Sequence, residues 1–227
     1  ATKEVDNTTT NVITNENSTA DTSNEDIILK INNGTESYTD YKTLKISGVK
    51  NDNLEVVRAA VKSAKENKGS NLTKDEITAT VNAAVSKTNK SINNINAGTA
   101  VVEDYTNLLI TRINNENISD VNSYLTGKRY KLISKISTLA NNIVTAINNI
   151  NNGTDSENDY ATLEIDYGNE SNLSIIKKSI AETKLQANKN LNKTEIQTAV
   201  DTTLTKINSV FDKVNLGSAS LEDYSFI

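Results

Sequence analysis

The 227-residue sequence holds no histidine and no cysteine, so its reactive side chains are carboxylates, tyrosines and amines. Serine–histidine–aspartate and cysteine–histidine nucleophile systems are excluded, as are the usual zinc ligand sets. Adjacent carboxylates stand at Glu103-Asp104 and Glu222-Asp223. Such pairs can divide general acid and base work. Here they recur with a helix-start signal and with no other polar cluster, which assigns them to helix electrostatics. The stretch Glu66–Glu76 has the acids and glycine of a calcium loop, but lysines stand where oxygen ligands are needed and the glycine register is wrong. Asp21, Glu25 and Asp26 form an acidic cluster that reads more simply as a solvated linker. Lys128, Arg129, Lys131 and Lys135 offer a basic face to an acidic partner, or are an ordinary solvated helix face. The eight glycines are isolated, so no phosphate-cradling loop exists. The expectation is a chain with no catalytic residue, no metal and no cofactor.

The remaining candidates are tyrosines, and their spacing is regular. Tyr41, Tyr105, Tyr160 and Tyr224 each follow an aspartate and each lie seven residues after a glycine: Gly34, Gly98, Gly153 and Gly217. These marks use four of the eight glycines and four of the eight tyrosines. A tyrosine ladder of this kind either binds a ligand or packs at a junction with its hydroxyl at the surface.

The marks delimit an internal repeat. Residues 42–105 and 161–224 align without a gap, and about a third of the pairs are identical, among them Leu44 with Leu163, Asn53-Leu54 with Asn172-Leu173, Lys65 with Lys184, and Glu76-Ile77 with Glu195-Ile196. The middle copy, 106–160, aligns at both ends and is shortened between Leu125 and Leu132.

Each copy reads as three helices. The first is short and opens at Ser-x-x-Asp (Ser37, Ser156, Ser220), where serine can cap and the carboxylate suits the positive helix end. Val101 takes the serine position in the second mark, so that cap is weaker or moves to Thr99. The second helix carries Leu54, Val57, Val61 and Ala64 at three-and-four spacing, repeated by Leu173, Ile176 and Ile180. The third is the longest. Its stripe is Ile77, Val81, Val85, Thr88, Ile92 and Ile95 in the first copy; Leu132, Ile136, Leu139, Ile143, Ile147 and Ile150 in the middle; and Ile196, Val200, Leu204, Ile207, Phe211 and Val214 in the last. Thr73 with Glu76 and Asn192 with Glu195 make capping boxes, and the glycine marks end these helices in the left-handed conformation.

The expected architecture is all-α: three tandem three-helix repeat units with a polar N-terminal extension. Residues 1–26 form an acidic arm or linker, 27–41 the end of a partial unit, 42–105, 106–160 and 161–224 the three units, and 225–227 the C-terminal end. The arm carries the chain's whole net charge of −5. A neutral body argues against nucleic acid and weakly favours self-association. Within the arm, Thr8–Thr14, including Val12 and Ile13, reads as disordered or as a strand added to a neighbour. No apolar run approaches the ~20 residues of a membrane span. Several Asn-x-Ser/Thr triplets, such as Asn71 and Asn117, follow from the asparagine-rich composition.

The pattern Asp40-Tyr41, Leu44, Gly48-Val49, Asn53-Leu54, Val57, Ala60-Val61, Ala64, then Leu72-Thr73 and Glu76-Ile77, resembles helical repeats of large secreted bacterial surface proteins and adhesins. The resemblance covers 38–226, with a departure at Asp166-Tyr167-Gly168. It implies an extracellular, multi-module protein at a cell surface with no catalytic site. A unit of about 60 residues is marginal alone and gains stability by stacking. The expected function is structural: self-assembly through half-units at the two ends into a head-to-tail filament, sheath or layer, or service as a stalk. The rival is an adhesin module binding a host or partner protein, recognisable by an exposed apolar patch on one unit alone. The expected partners are copies of the chain, or another surface protein, and the candidate assembly contacts are Val12, Ile13, Tyr41, Tyr105, Tyr160, Tyr224, Phe226 and Ile227.

Overall fold

The computed structural model describes residues 23–227. In chain order the helices are α1 (Asn24–Asn33), α2 (Tyr38–Thr43), α3 (Leu54–Lys68), α4 (Lys74–Ala97), α5 (Val102–Asn107), α6 (Ile118–Leu125), α7 (Ile133–Asn152), α8 (Glu157–Thr162), α9 (Leu173–Ala187), α10 (Lys193–Asn215) and α11 (Leu221–Phe226). Short 3-10 turns at Asn51–Asn53 and Glu170–Asn172 lead into α3 and α9. Among the described residues there is no strand, so the all-α expectation is met. Val12, Ile13 and the rest of Thr8–Thr14 lie outside the described residues. Asn24, Glu25 and Asp26, grouped with the arm by composition, form the first turn of α1, where acids complement the helix dipole.

The helix starts follow local chemistry. At α4 the Thr73 hydroxyl accepts the Glu76 N–H at 3.3 Å, and the Glu76 carboxylate accepts the Thr73 N–H at 2.7 Å. Asn192 and Glu195 do the same at α10, at 2.9 Å each way. Short helices α2, α5, α8 and α11 all begin with an aspartate accepting the backbone N–H three residues before it, from Ser37, Val101, Ser156 or Ser220. Of the two expectations for the second mark, a weaker cap or one moved to Thr99, the cap does not move: the Thr99 hydroxyl turns back to the Asn94 carbonyl. Asp104 therefore holds the start of α5 without a hydroxyl partner.

Helix α7 has no local cap, because Leu132 precedes it. Its first N–H groups are taken by Asp52, 81 residues earlier, which accepts from Ile133 N at 2.6 Å and from the Ser134 hydroxyl at 2.8 Å. A carboxylate delivered by another part of the chain thus replaces the missing side chain.

Two apolar clusters form the core. One gathers Ile27, Ile31, Tyr41, Leu44, Leu54, Val57, Val61, Ile77 and Val81 around α1–α4. The larger runs from Val56 and Ile95 through α5–α8 to Ile196 and Val200. Each fully buried isoleucine or leucine contributes about 2 kcal/mol. Two expected stripe residues are exposed. Leu132 is 54% exposed and Ile133 is buried in its place, because α7 starts one residue later than the stripe implies. Phe211 is 50% exposed, and Thr203 and Val210 line the buried face of α10.

Candidate functional site

The structure places the first three tyrosine marks at contacts between successive groups of helices. At the first, Asn32 near the end of α1 accepts the Leu72 N–H at 2.7 Å and donates to the Leu72 carbonyl at 2.9 Å. Its own carbonyl accepts from Lys65 Nζ at 2.8 Å. Asn151 near the end of α7 makes the same set, with Leu191 at 2.7 and 2.8 Å and Lys184 at 2.7 Å. Asn96 near the end of α4 pairs in the same two-fold way with Tyr130 at 2.7 and 2.8 Å. The shortened segment brings a backbone donor to the lysine's place, and Gly127 N reaches the Asn96 carbonyl at 2.9 Å. That closeness shows at Gly98, where an added Cβ would meet Thr126 Oγ1 at 2.4 Å; at Gly153 it would meet nothing within 4 Å.

Beside each asparagine sits the tyrosine with a matched pair of side chains. Tyr41 donates to Glu36 Oε1 at 2.8 Å, and Glu36 is paired with Arg58 Nε at 3.3 Å. Arg58 also bonds the Glu36 carbonyl and Glu55. At the second mark both charges are gone: Asn122 donates to the Ala100 carbonyl at 2.8 Å and accepts from the Tyr105 hydroxyl at 2.6 Å. At the third, Lys177 donates to the Asp155 carbonyl at 2.7 Å and stands 3.7 Å from its carboxylate. Asp155 is one methylene shorter than Glu36, and the Tyr160 hydroxyl has no hydrogen-bond partner. In all three, the side chain 22 residues after the mark's acid or alanine bonds that residue's carbonyl.

Tyr41, Tyr105 and Tyr160 are fully buried, so as assembly contacts they fail: no second chain can reach them. Nor do their hydroxyls lie at the surface, as a simple junction packing implies. Burial first, and the Glu36 carboxylate second at Tyr41, push these hydroxyls far above the ordinary phenol range. Tyr224 differs, at 56% exposed. In the same C-terminal segment Phe211, Leu216, Leu221 and Ile227 are also exposed, between 44% and 90%. Phe226 is half-buried, with Lys206 Nζ 3.9 Å from its ring centroid.

The other candidates have local partners. Glu103 pairs with Lys87 at 3.2 Å, and Asp104 accepts from Asn94. Lys213 and the Ser220 N–H hold the Asp223 carboxyl down at about 2. Glu76 is held down to about 2 by Lys68 and Thr73, so it belongs to its cap and not to a calcium loop. Lys128 lies 3.7 Å from Glu164 and over the Tyr124 ring. Among the described residues no three His, Cys, Asp or Glu side chains gather as a metal site, and no helix is long and apolar enough to cross a membrane. Open grooves of about 810 and 610 Å³ lie along the first and third junctions, floored by Asn32 and Lys65 in one and Asn151 and Lys184 in the other.

Reading the copies singly misses the residues that build these junctions: Asn32, Glu36, Arg58, Ala100, Asn122, Asp155 and Lys177. The available signal is their joint change between copies at a fixed separation. No protein-family model, curated protein or solved structure matches the chain.

Proposed function

We propose that this chain is a non-catalytic structural protein, three stacked three-helix units (42–105, 106–160 and 161–224) behind a polar N-terminal extension, serving as a stalk at a bacterial cell surface. The observation that carries the stalk is the recurring junction: one asparagine, one buried tyrosine and one donor 22 residues beyond the mark, set at the same offsets three times. A contact reused in this way joins each group of helices to the next, and elements joined only to their neighbours build length. The extracellular setting rests on the resemblance of the repeat pattern to secreted surface proteins.

Small-angle scattering on the full chain tests the stalk. The expected radius of gyration exceeds the roughly 17 Å of a compact chain of this length; a compact value removes the reading. Growth of scattering with concentration would replace the stalk with a self-assembling filament or layer. Antibody labelling of intact cells tests the location, and signal only after lysis overturns it.

A second reading, a module that binds a partner protein, is favoured by one observation. Phe211, Leu216, Leu221 and Tyr224, all in the C-terminal segment, are exposed, while the tyrosines of the other marks are buried.

A further inference from the structure

The fourth mark repeats the second. A shift of 119 residues carries Asn96 onto Asn215, Gly98 onto Gly217, Ala100 onto Ala219 and Tyr105 onto Tyr224; the same shift carries Glu36 onto Asp155 and Tyr41 onto Tyr160. The marks therefore alternate between an acid and an alanine. The acids select a cation: Glu36 faces Arg58, and Asp155 faces Lys177. Alanine selects an amide, because a cation brought over Ala100 would lose water without the counter-charge that Glu36 or Asp155 supplies at the other marks. Asn122 satisfies both the Ala100 carbonyl and the tyrosine hydroxyl without charge.

At the fourth mark the recognising groups are present and the cover is not. Asn215 and Tyr224 are exposed, and so are the apolar Phe211, Leu216 and Leu221 in the same C-terminal segment. Among the described residues, a second copy of this fold has no free hairpin to lend. Its α3–α4, α6–α7 and α9–α10 pairs already cover its own Tyr41, Tyr105 and Tyr160, which are fully buried.

We propose that the C-terminal face around Tyr224 is a docking site for a further helical hairpin of the α6–α7 kind, from outside these 227 residues, carrying an uncharged amide side chain where Asn122 stands over Tyr105. Its loop backbone would pair with Asn215 as Tyr130 pairs with Asn96, and its amide would bond the Ala219 carbonyl and the Tyr224 hydroxyl. This inference rests on the stacking reading above and adds to it a rule for choosing the neighbour.

The test joins a covering segment to the full chain in place of Ser225–Ile227 and follows amide hydrogen exchange from Asn215 to Tyr224. One chain receives a copy of residues 106–160, so that Tyr224 takes the place of Tyr105. A second receives that copy with its Asn122→Lys change, and a third adds Ala219→Glu to the second. Amides of α3 and α4 serve as the internal control for folding. The first chain should slow exchange by about tenfold, the second by much less, and the third should recover the protection. Equal protection in all three overturns the selection rule and leaves stacking intact. No protection in any, with α3 and α4 unchanged, overturns docking and the stacking reading together.

Discussion

The first and second tyrosine junctions perform the same task with opposite electrostatics. At the first, a carboxylate with 1% side-chain exposure is held between a tyrosine hydroxyl and a guanidinium. At the second, an alanine and an asparagine close the same space with neutral hydrogen bonds. The comparison teaches that the hydrogen bond to the mark's carbonyl is the constant part of the contact, while charge is a matched option. Arg58, Asn122 and Lys177 all make that bond, whatever faces them. A buried ion pair contributes little net stability, because desolvation offsets its attraction, yet breaking one side of it is costly.

Alkali should break both kinds of junction. The folded pKa values of Tyr41, Tyr105 and Tyr160 are raised above the ordinary 10.0, so their contribution is complete below pH 10 and is lost as pH rises beyond it. The share of the phenolate absorbance that belongs to the buried tyrosines should appear together with the loss of circular dichroism above pH 10; phenolate formation by all the tyrosines in a folded chain would contradict the burial.

Smaller changes separate the junctions. Arg58→Ala should cost about 3 kcal/mol, since it strands the Glu36 carboxylate, while Glu36→Ala with Arg58→Asn, which copies the neutral junction, should cost under about 1 kcal/mol. Denaturant midpoints decide this, and a double variant as weak as the single one would deny that the two junction types are interchangeable. Gly98→Ala should cost about 2 kcal/mol, combining the strain of φ +73° with the Thr126 contact; Gly153→Ala carries the strain alone, about 1 kcal/mol. Equal losses would show that the middle segment does not press on its mark.

Tyr41→Phe should cost about 1 kcal/mol, because Glu36 loses a donor, and Tyr160→Phe should cost close to nothing, because its hydroxyl has no partner to lose. A small effect of opposite sign concerns three non-glycine residues held at φ near 60°, Lys45, Leu109 and Glu164, each four residues after a buried tyrosine. Leu109→Gly should raise stability by about 0.5 kcal/mol, the relief of left-handed strain exceeding the added chain entropy of glycine. A loss would mean that the half-exposed Leu109 side chain makes packing contacts worth more than that strain.

Much of the helical framework was legible in the residues, because its signals are short-ranged. Thr73 with Glu76 starts α4, Asn192 with Glu195 starts α10, and glycine in the left-handed conformation ends α4 and α7, each within a few residues of chain. The apolar stripes held where a neighbour lay over them, and failed at Phe211 and Leu132. Periodicity marks a face as apolar but says nothing about what covers it. Most of the candidate site was not legible. Tyrosine spacing located the marks, yet three of the four tyrosines proved to be interior, and Arg58, Asn122 and Lys177, which bond the marks beside them, are each 17 residues away.

The sequence by itself determined the all-α class, the cap chemistry of most helices and the regular recurrence of the tyrosine marks, because hydrogen bonds and hydrophobic spacing within one helix need only nearby residues. Only the tertiary structure decided that Asp52 caps α7, that Arg58, Asn122 and Lys177 are equivalents, and that Tyr41, Tyr105 and Tyr160 are covered while Tyr224 is open. Those outcomes depend on which surfaces meet, and burial is a property of the meeting surfaces and not of the residue.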